Sequence, residues 1–108
     1  MDRGRRKGGV KIGSSFQKTG DMRFISHLDL MRLFQRALRR ADLPVTVTQG
    51  FSPHLKISIN RALKLGAESL DEALTVHMSK AVEPALFIEL LNKNLPEGVK
   101  IARAEEIG

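Results

Sequence analysis

The chain has no cysteine, no tryptophan and no tyrosine, and Phe is the only aromatic among its 108 residues, with five copies. Without cysteine there can be no disulfide, no thiolate zinc site, no cysteine-ligated iron–sulfur cluster and no cysteine nucleophile; the absence suits a reducing compartment. No apolar run approaches the roughly 20 residues that cross a bilayer. The opening MDRGRRKGG is basic but lacks the apolar stretch of a secretion signal, so it reads as a flexible arm over residues 1–9. The expectation is a cytoplasmic chain with no membrane partner. Three histidines are scattered without an HxxxH or HxH pair, so no metal site and no bound cofactor are expected. GFSPH has one glycine and no Gly-Lys-Ser/Thr, which excludes a P-loop, and no strand carries the aromatic pattern of an ordinary RNA-recognition motif.

Hydrophobic residues make up 42% of the chain, enough for one domain over 10–108 with an aliphatic core of Leu, Ile, Val and Met. Charge is unevenly placed. Residues 1–56 hold twelve Lys or Arg against four Asp, a balance of +8, whereas the remainder carries −2 of the +6 total. With an isoelectric point near 10.2, such a half points to an anionic partner, nucleic acid first.

VKIGSSFQKTG, residues 10–20, alternates with Val10, Ile12, Ser14 and Phe16 on one side and ends in a Lys-Thr-Gly-Asp turn. MRF reads as an extended approach to a helix. Ser26 with Asp29 three residues on forms a capping-box-like start, and Asp29 sits where the helix dipole favours negative charge. At about 100° per residue, Leu30, Met31, Phe34, Ala37, Leu38 and Ala41 share one side, and Arg32, Arg36, Arg39 and Arg40 the other. Pro44 stops the helix. PVTVTQG (44–50) reads as a strand, GFSPH (50–54) as a loop, and LKISI (55–59) as a strand, the two runs forming a hairpin or one long bulged excursion. Residues 60–72 read as irregular. ALTVHMS (73–79) is a strand with Leu74, Val76 and Met78 inward and Thr75 and His77 outward. EPALFIELLNKNLPEG is a second helix with Pro84 in its first turn, and VKIARAEEI (99–107) a closing strand. This order predicts an α+β, ferredoxin-like split βαβ fold, an antiparallel sheet with two helices on one face.

RFISHLDLMRLFQRALRRADLPVTVTQGFSPHLKIS, followed by ALKLGAES, resembles the radical SAM-linked protein family. The shared features are the Ser-His-Leu-Asp-Leu helix start, the Arg-Ala-x-Arg-Arg-Ala helix end, Leu-Pro, Gly-Phe-x-Pro-His and Leu-Gly-x-x-Ser. The resemblance is close over residues 16 to about 78 and looser over Leu-Asn-x-x-Leu-Pro-x-Gly at 91–98. Ser52, Leu55, Ala73 and Thr75 depart from the residues common in that family; the last two put in doubt any acid-dependent role for the 73–79 strand. The resemblance implies an accessory of a B12-type radical SAM enzyme, acting in RNA or ribosome modification, with RNA or a ribosomal component and that enzyme as partners. The iron–sulfur chemistry would belong to the other chain. Many members are longer, which makes this chain the expected first half of a two-part unit.

Arginine forks match phosphate oxygens in pairs, so Arg32, Arg36, Arg39 and Arg40 are the candidate RNA-binding face, joined by His54 and Lys56 from the loop. The alternative is a solvated helix face balanced by Asp29 and Asp42. Gly50, Phe51, Ser52 and Pro53 are candidate loop contacts; Phe51 could stack on an unpaired base or plug its own sheet. His27 falls toward the core-facing side of the first turn and reads as structural. A cluster of His27, Asp29 and His54 could do acid–base work as in ferredoxin-like RNA-cleaving enzymes, but no catalytic residue is assigned. Strand and helix lengths suggest that the loop returns to the Ser26 end of the helix, which would centre the site on Arg32 and Arg36. A protein-docking module using the same face, with Phe51 or Leu55 as apolar anchor, is the alternative from another class.

Overall fold

The computed structural model describes residues 10–60 and 66–107; the basic arm at 1–9 lies outside them. Strand β1 (Val10–Lys18) leads through a 3-10 helix (Gly20–Phe24) into helix α1 (His27–Arg40). Strands β2 (Ile57–Ile59) and β3 (Ser69–Met78), helix α2 (Pro84–Asn92) and strand β4 (Val99–Glu106) follow. The sheet order is β2-β3-β1-β4 with every pair antiparallel. This is the ferredoxin-like arrangement, in which each helix crosses between strands and both helices cover one face.

Strand alternation builds that core. Ile12 and Phe16 of β1, Leu74, Val76 and Met78 of β3, and Val99 and Ile101 of β4 join Leu30, Leu33, Phe34, Ala37 and Leu38 of α1 and Phe87 and Leu91 of α2 in one buried cluster. The Phe16 and Phe34 rings meet edge to face at 5.1 Å, pinning α1 to the central strand. Leu33 is core as well, because the apolar stripe of α1 extends round toward α2.

Local signals explain the helix ends. The Ser26 hydroxyl accepts from the Asp29 N–H at 3.1 Å, the expected cap. After Arg40 the chain reaches Asp42, whose φ of 57° is the left-handed turn that usually falls to glycine, and Pro44 prevents any return to helix. In α2, Pro84 occupies the first turn, as expected.

Four expectations change. Met22, Arg23 and Phe24 lie in the 3-10 helix rather than in extended chain, because the left-handed Gly20 (φ 61°) starts a tight turn. Strand β3 begins at Ser69, not residue 73, since β1 is long enough to pair with it as far as Lys18. Helix α2 ends at Asn92, short of Pro96. Residues 44–50 form no continuous strand: Val45 bridges Met78 and Val47 bridges Leu55, and only Val45 is buried.

The bulged excursion is what the structure contains. His77 faces both ends of it: the Thr46 N–H donates to the His77 carbonyl at 2.8 Å, and the His77 N–H donates to the Lys56 carbonyl at 3.0 Å. The neck closes where the Lys56 N–H donates to the Thr46 carbonyl at 2.7 Å. Residues 47–55 therefore project from a single interrupted edge strand. Two amides tie helix to backbone in the same way. Gln35 of α1 donates to the Leu55 carbonyl and accepts from the Leu55 N–H, both at 2.9 Å. Asn92 of α2 donates to the Ile101 carbonyl at 3.0 Å and accepts from its N–H at 2.8 Å.

Candidate anion-binding surface

The exposed side of α1 carries Arg32, Arg36, Arg39 and Arg40. Arg32 reaches Asp29 at 3.5 Å, with both side chains about three-fifths exposed, so the pair is weak. Arg36, Arg39 and Arg40 have no acid within ion-pairing distance among the described residues. Cations in the last turn do favour the helix dipole, by about 0.3–1 kcal/mol each. That accounts for Arg39 and Arg40 but not for Arg32 and Arg36.

Helix phase divides the four. Gln35 marks the flank that holds the excursion; one turn on, Arg39 lies nearly above it, and Arg32, one turn before, is close in phase. Arg36 and Arg40 lie about 100° and 140° further round, where they line a groove of about 360 Å³ with Leu33, Ala37 and the segment Lys93–Pro96. Lys93 is the third cation of that groove, and its ion pair with Glu89 at 3.6 Å is exposed. The base of the loop is anchored mid-helix, at Gln35 through Leu55, and its neck is set by the pairing of Thr46 and Lys56 with His77.

The loop is stiffened from within. Gly50 has φ 123°, a conformation that suits glycine. The Thr48 N–H donates to the His54 carbonyl at 2.8 Å, and the His54 N–H donates to the Thr48 hydroxyl at 3.1 Å. His54 Nδ1 lies 3.0 Å from the Ser52 carbonyl, which can only accept, so Nδ1 carries a proton and donates to it. Ser52 and Pro53 are exposed, and Phe51 stands fully in solvent rather than plugging the sheet. Leu55 is buried against the core and cannot serve as an outward anchor.

Lys56 belongs elsewhere. It lies between buried Leu55 and core-packed Ile57, so strand alternation sends its side chain to the face away from the helices. There it meets His77, whose imidazole is held below its ordinary pKa by burial first, then by Lys56 and Lys11. His27 is exposed rather than core-facing, as is the whole first turn from Ser26 to Asp29. No hydrogen bond joins His27, Asp29 and His54, and no cluster of potential metal ligands occurs, among the described residues.

The open face also holds a shallow depression of about 540 Å³ floored by Gly13, Ser15, Ala73 and Thr75. Across it the Ser15 hydroxyl donates to Asp71 at 2.5 Å and Arg103 reaches the same carboxylate oxygen at 3.1 Å. Both hold the Asp71 carboxyl below its usual range, the serine hydrogen bond being the largest single cause and the arginine adding its charge and a hydrogen bond. Toward the helices, Lys18 and Glu72 are buried charged residues: Lys18 donates to the Arg23 carbonyl at 3.3 Å, and Glu72 accepts from the Ser69 hydroxyl. The signal for Lys18 was in the sequence, since it shares the even phase of Ile12 and Phe16. Lys93 and Gln35 carried no such signal, because their roles depend on which elements meet.

Fold and surface together define a small α+β domain with a cationic helix face, an aromatic loop tip and no assembled acid–base or metal centre among the described residues. The chain belongs to the bacterial family described as an uncharacterized conserved protein, DUF2344, whose model matches residues 11–108. No match to a curated protein was found. No helix among the described residues is long and apolar enough to cross a membrane.

Proposed function

We propose that the domain is a non-catalytic RNA-binding accessory that presents single-stranded RNA to a radical SAM enzyme acting in RNA or ribosome modification. The observation that carries the reading is the run of arginines on α1: three have no acid partner among the described residues, and two share a groove with Lys93. Arg36 and Arg40, one turn apart and so about 6 Å along the axis, offer paired N–H donors to successive phosphates. On the other flank, Arg32 and Arg39 share the side of α1 on which Gln35 holds the base of the loop that exposes Phe51, a ring on which an unpaired base can stack for about 1–3 kcal/mol. The radical SAM partner rests on the sequence resemblance. A chain without cysteine cannot hold the cluster, so that chemistry falls to the enzyme it serves.

The test is binding of a labelled single-stranded RNA between 50 and 200 mM salt. With three or four phosphate contacts the logarithmic slope is about −2 to −3. A flat response, or no binding tighter than about 10⁻⁴ M, overturns the reading. The second reading, a protein-docking face, draws on apolar exposure at Phe51, Val47 and Leu28. Capture of the radical SAM enzyme that survives nuclease treatment, with no RNA affinity, would favour it.

A further inference from the structure

The open side of the sheet reads as a grid. One row across it is Ser58, Thr75, Gly13 and Glu105, fixed by the strand registers. The next row runs Lys56, His77 and Lys11: His77 pairs with Lys11 on one side and bonds to the Lys56 backbone on the other. Opposed residues on neighbouring strands stand about 5 Å apart, and like charges placed so are destabilising. Three basic side chains therefore lie abreast on three strands. No acid pairs with Lys11 or Lys56 among the described residues. On this face, Glu105 is the acid of the adjacent row, opposite Gly13 and on the far side of Lys11.

We propose that Lys56, His77 and Lys11 form an anion site on the open face, distinct from the α1 arginines, that takes a tetrahedral phosphate group. The group can be a phosphodiester of nucleic acid or a free phosphate. The two ammonium groups reach it from either side, and the imidazole below donates to it when protonated. Empty, the site favours neutral imidazole, because burial and the two lysines oppose its charge. An anion in the row reverses the lysine contribution. Binding thus takes up a proton, and affinity rises as pH falls. The groups facing His77 are Lys11 from β1, Lys56 from the edge strand and Thr75 from its own strand; Glu105 is the one acid in the adjacent row.

The test is an NMR pH titration of the His77 ring in sodium sulfate and in sodium chloride at matched ionic strength. Sulfate keeps a constant charge over this range. Sulfate should raise the His77 midpoint by about half a unit to one unit, a roughly three- to tenfold gain in affinity on protonation. Lys11→Gln with Lys56→Gln should abolish the difference while the protein stays folded. A single-stranded RNA without terminal phosphates tells the sources apart: if it raises the midpoint too, the site takes the nucleic-acid backbone; if only inorganic phosphate and sulfate do, it takes a free group. No midpoint change with any of the three, or a change that survives loss of both lysines, overturns the proposal. Arg36→Gln with Arg40→Gln should leave the sulfate response intact, so failure here and failure of the RNA-binding reading are separable.

Discussion

Gln35→Met isolates the clamp that fixes the excursion to α1. Methionine keeps the length and the helix propensity of glutamine, so the change removes two hydrogen bonds and little else. Both are 2.9 Å long, and they satisfy the N–H and carbonyl of Leu55, whose side chain is buried. Two net hydrogen bonds are worth about 1–3 kcal/mol, and a buried backbone group left unpaired adds to the loss, so about 2 kcal/mol is expected. For a domain of this size that lowers Tm by about 8–16 °C. Urea denaturation gives the free energy, and hydrogen exchange at the Leu55 amide gives the local opening. The companion Asn92→Leu removes the equivalent bonds to Ile101 at similar cost. RNA affinity should fall for the Gln35 variant alone, because only that clamp positions the Phe51 loop. A loss below about 0.5 kcal/mol with unchanged protection at Leu55 would refute the reasoning.

Phe51→Ala should leave stability within about 0.5 kcal/mol, since the ring is fully exposed, yet lower single-stranded RNA affinity by about 1–3 kcal/mol in an anisotropy titration. Gly98→Ala should destabilise by about 2 kcal/mol or more, read from urea denaturation. At φ 98° its new Cβ would lie 2.7 Å from the Thr19 carbonyl and 2.8 Å from Met22 Cγ. Stability should also respond to His77: its folded pKa is depressed, so the unfolded chain binds the proton first. Denaturation midpoints should therefore fall as pH drops from about 6.5 through the folded value. His77→Gln should flatten that segment of the profile.

Periodicity made most of the fold legible. The even residues of β1 and β3, the α1 stripe, the Ser26 cap and the helix stop before Pro44 all act within a few residues of themselves. What escaped depends on partners distant in sequence. Residues 44–50 alternate like a strand, but Thr46 and Lys56 share one partner, Thr46 taking the His77 carbonyl and Lys56 its N–H, so the chain between them is held out as a loop. Lys56 looked like a neighbour of the arginines because it follows the loop, yet strand alternation puts it on the opposite face. Among the arginines, sequence spacing gave the face; only the positions of Gln35 against Leu55 and of Lys93 beside Arg36 and Arg40 showed that it has two flanks.

In the proposed function, RNA lies along α1 between the Phe51 loop and the Lys93 groove. Chemical-shift mapping of the labelled domain with a single-stranded RNA at 50 mM salt tests it most directly. Shifts are expected at the side-chain Nε–H groups of Arg32, Arg36, Arg39 and Arg40, at Phe51 and at the Lys93–Leu95 amides, all fading as salt rises. Shifts confined to the floor of the open-face depression at Gly13, Ser15, Ala73 and Thr75, with the arginines unmoved, would contradict it.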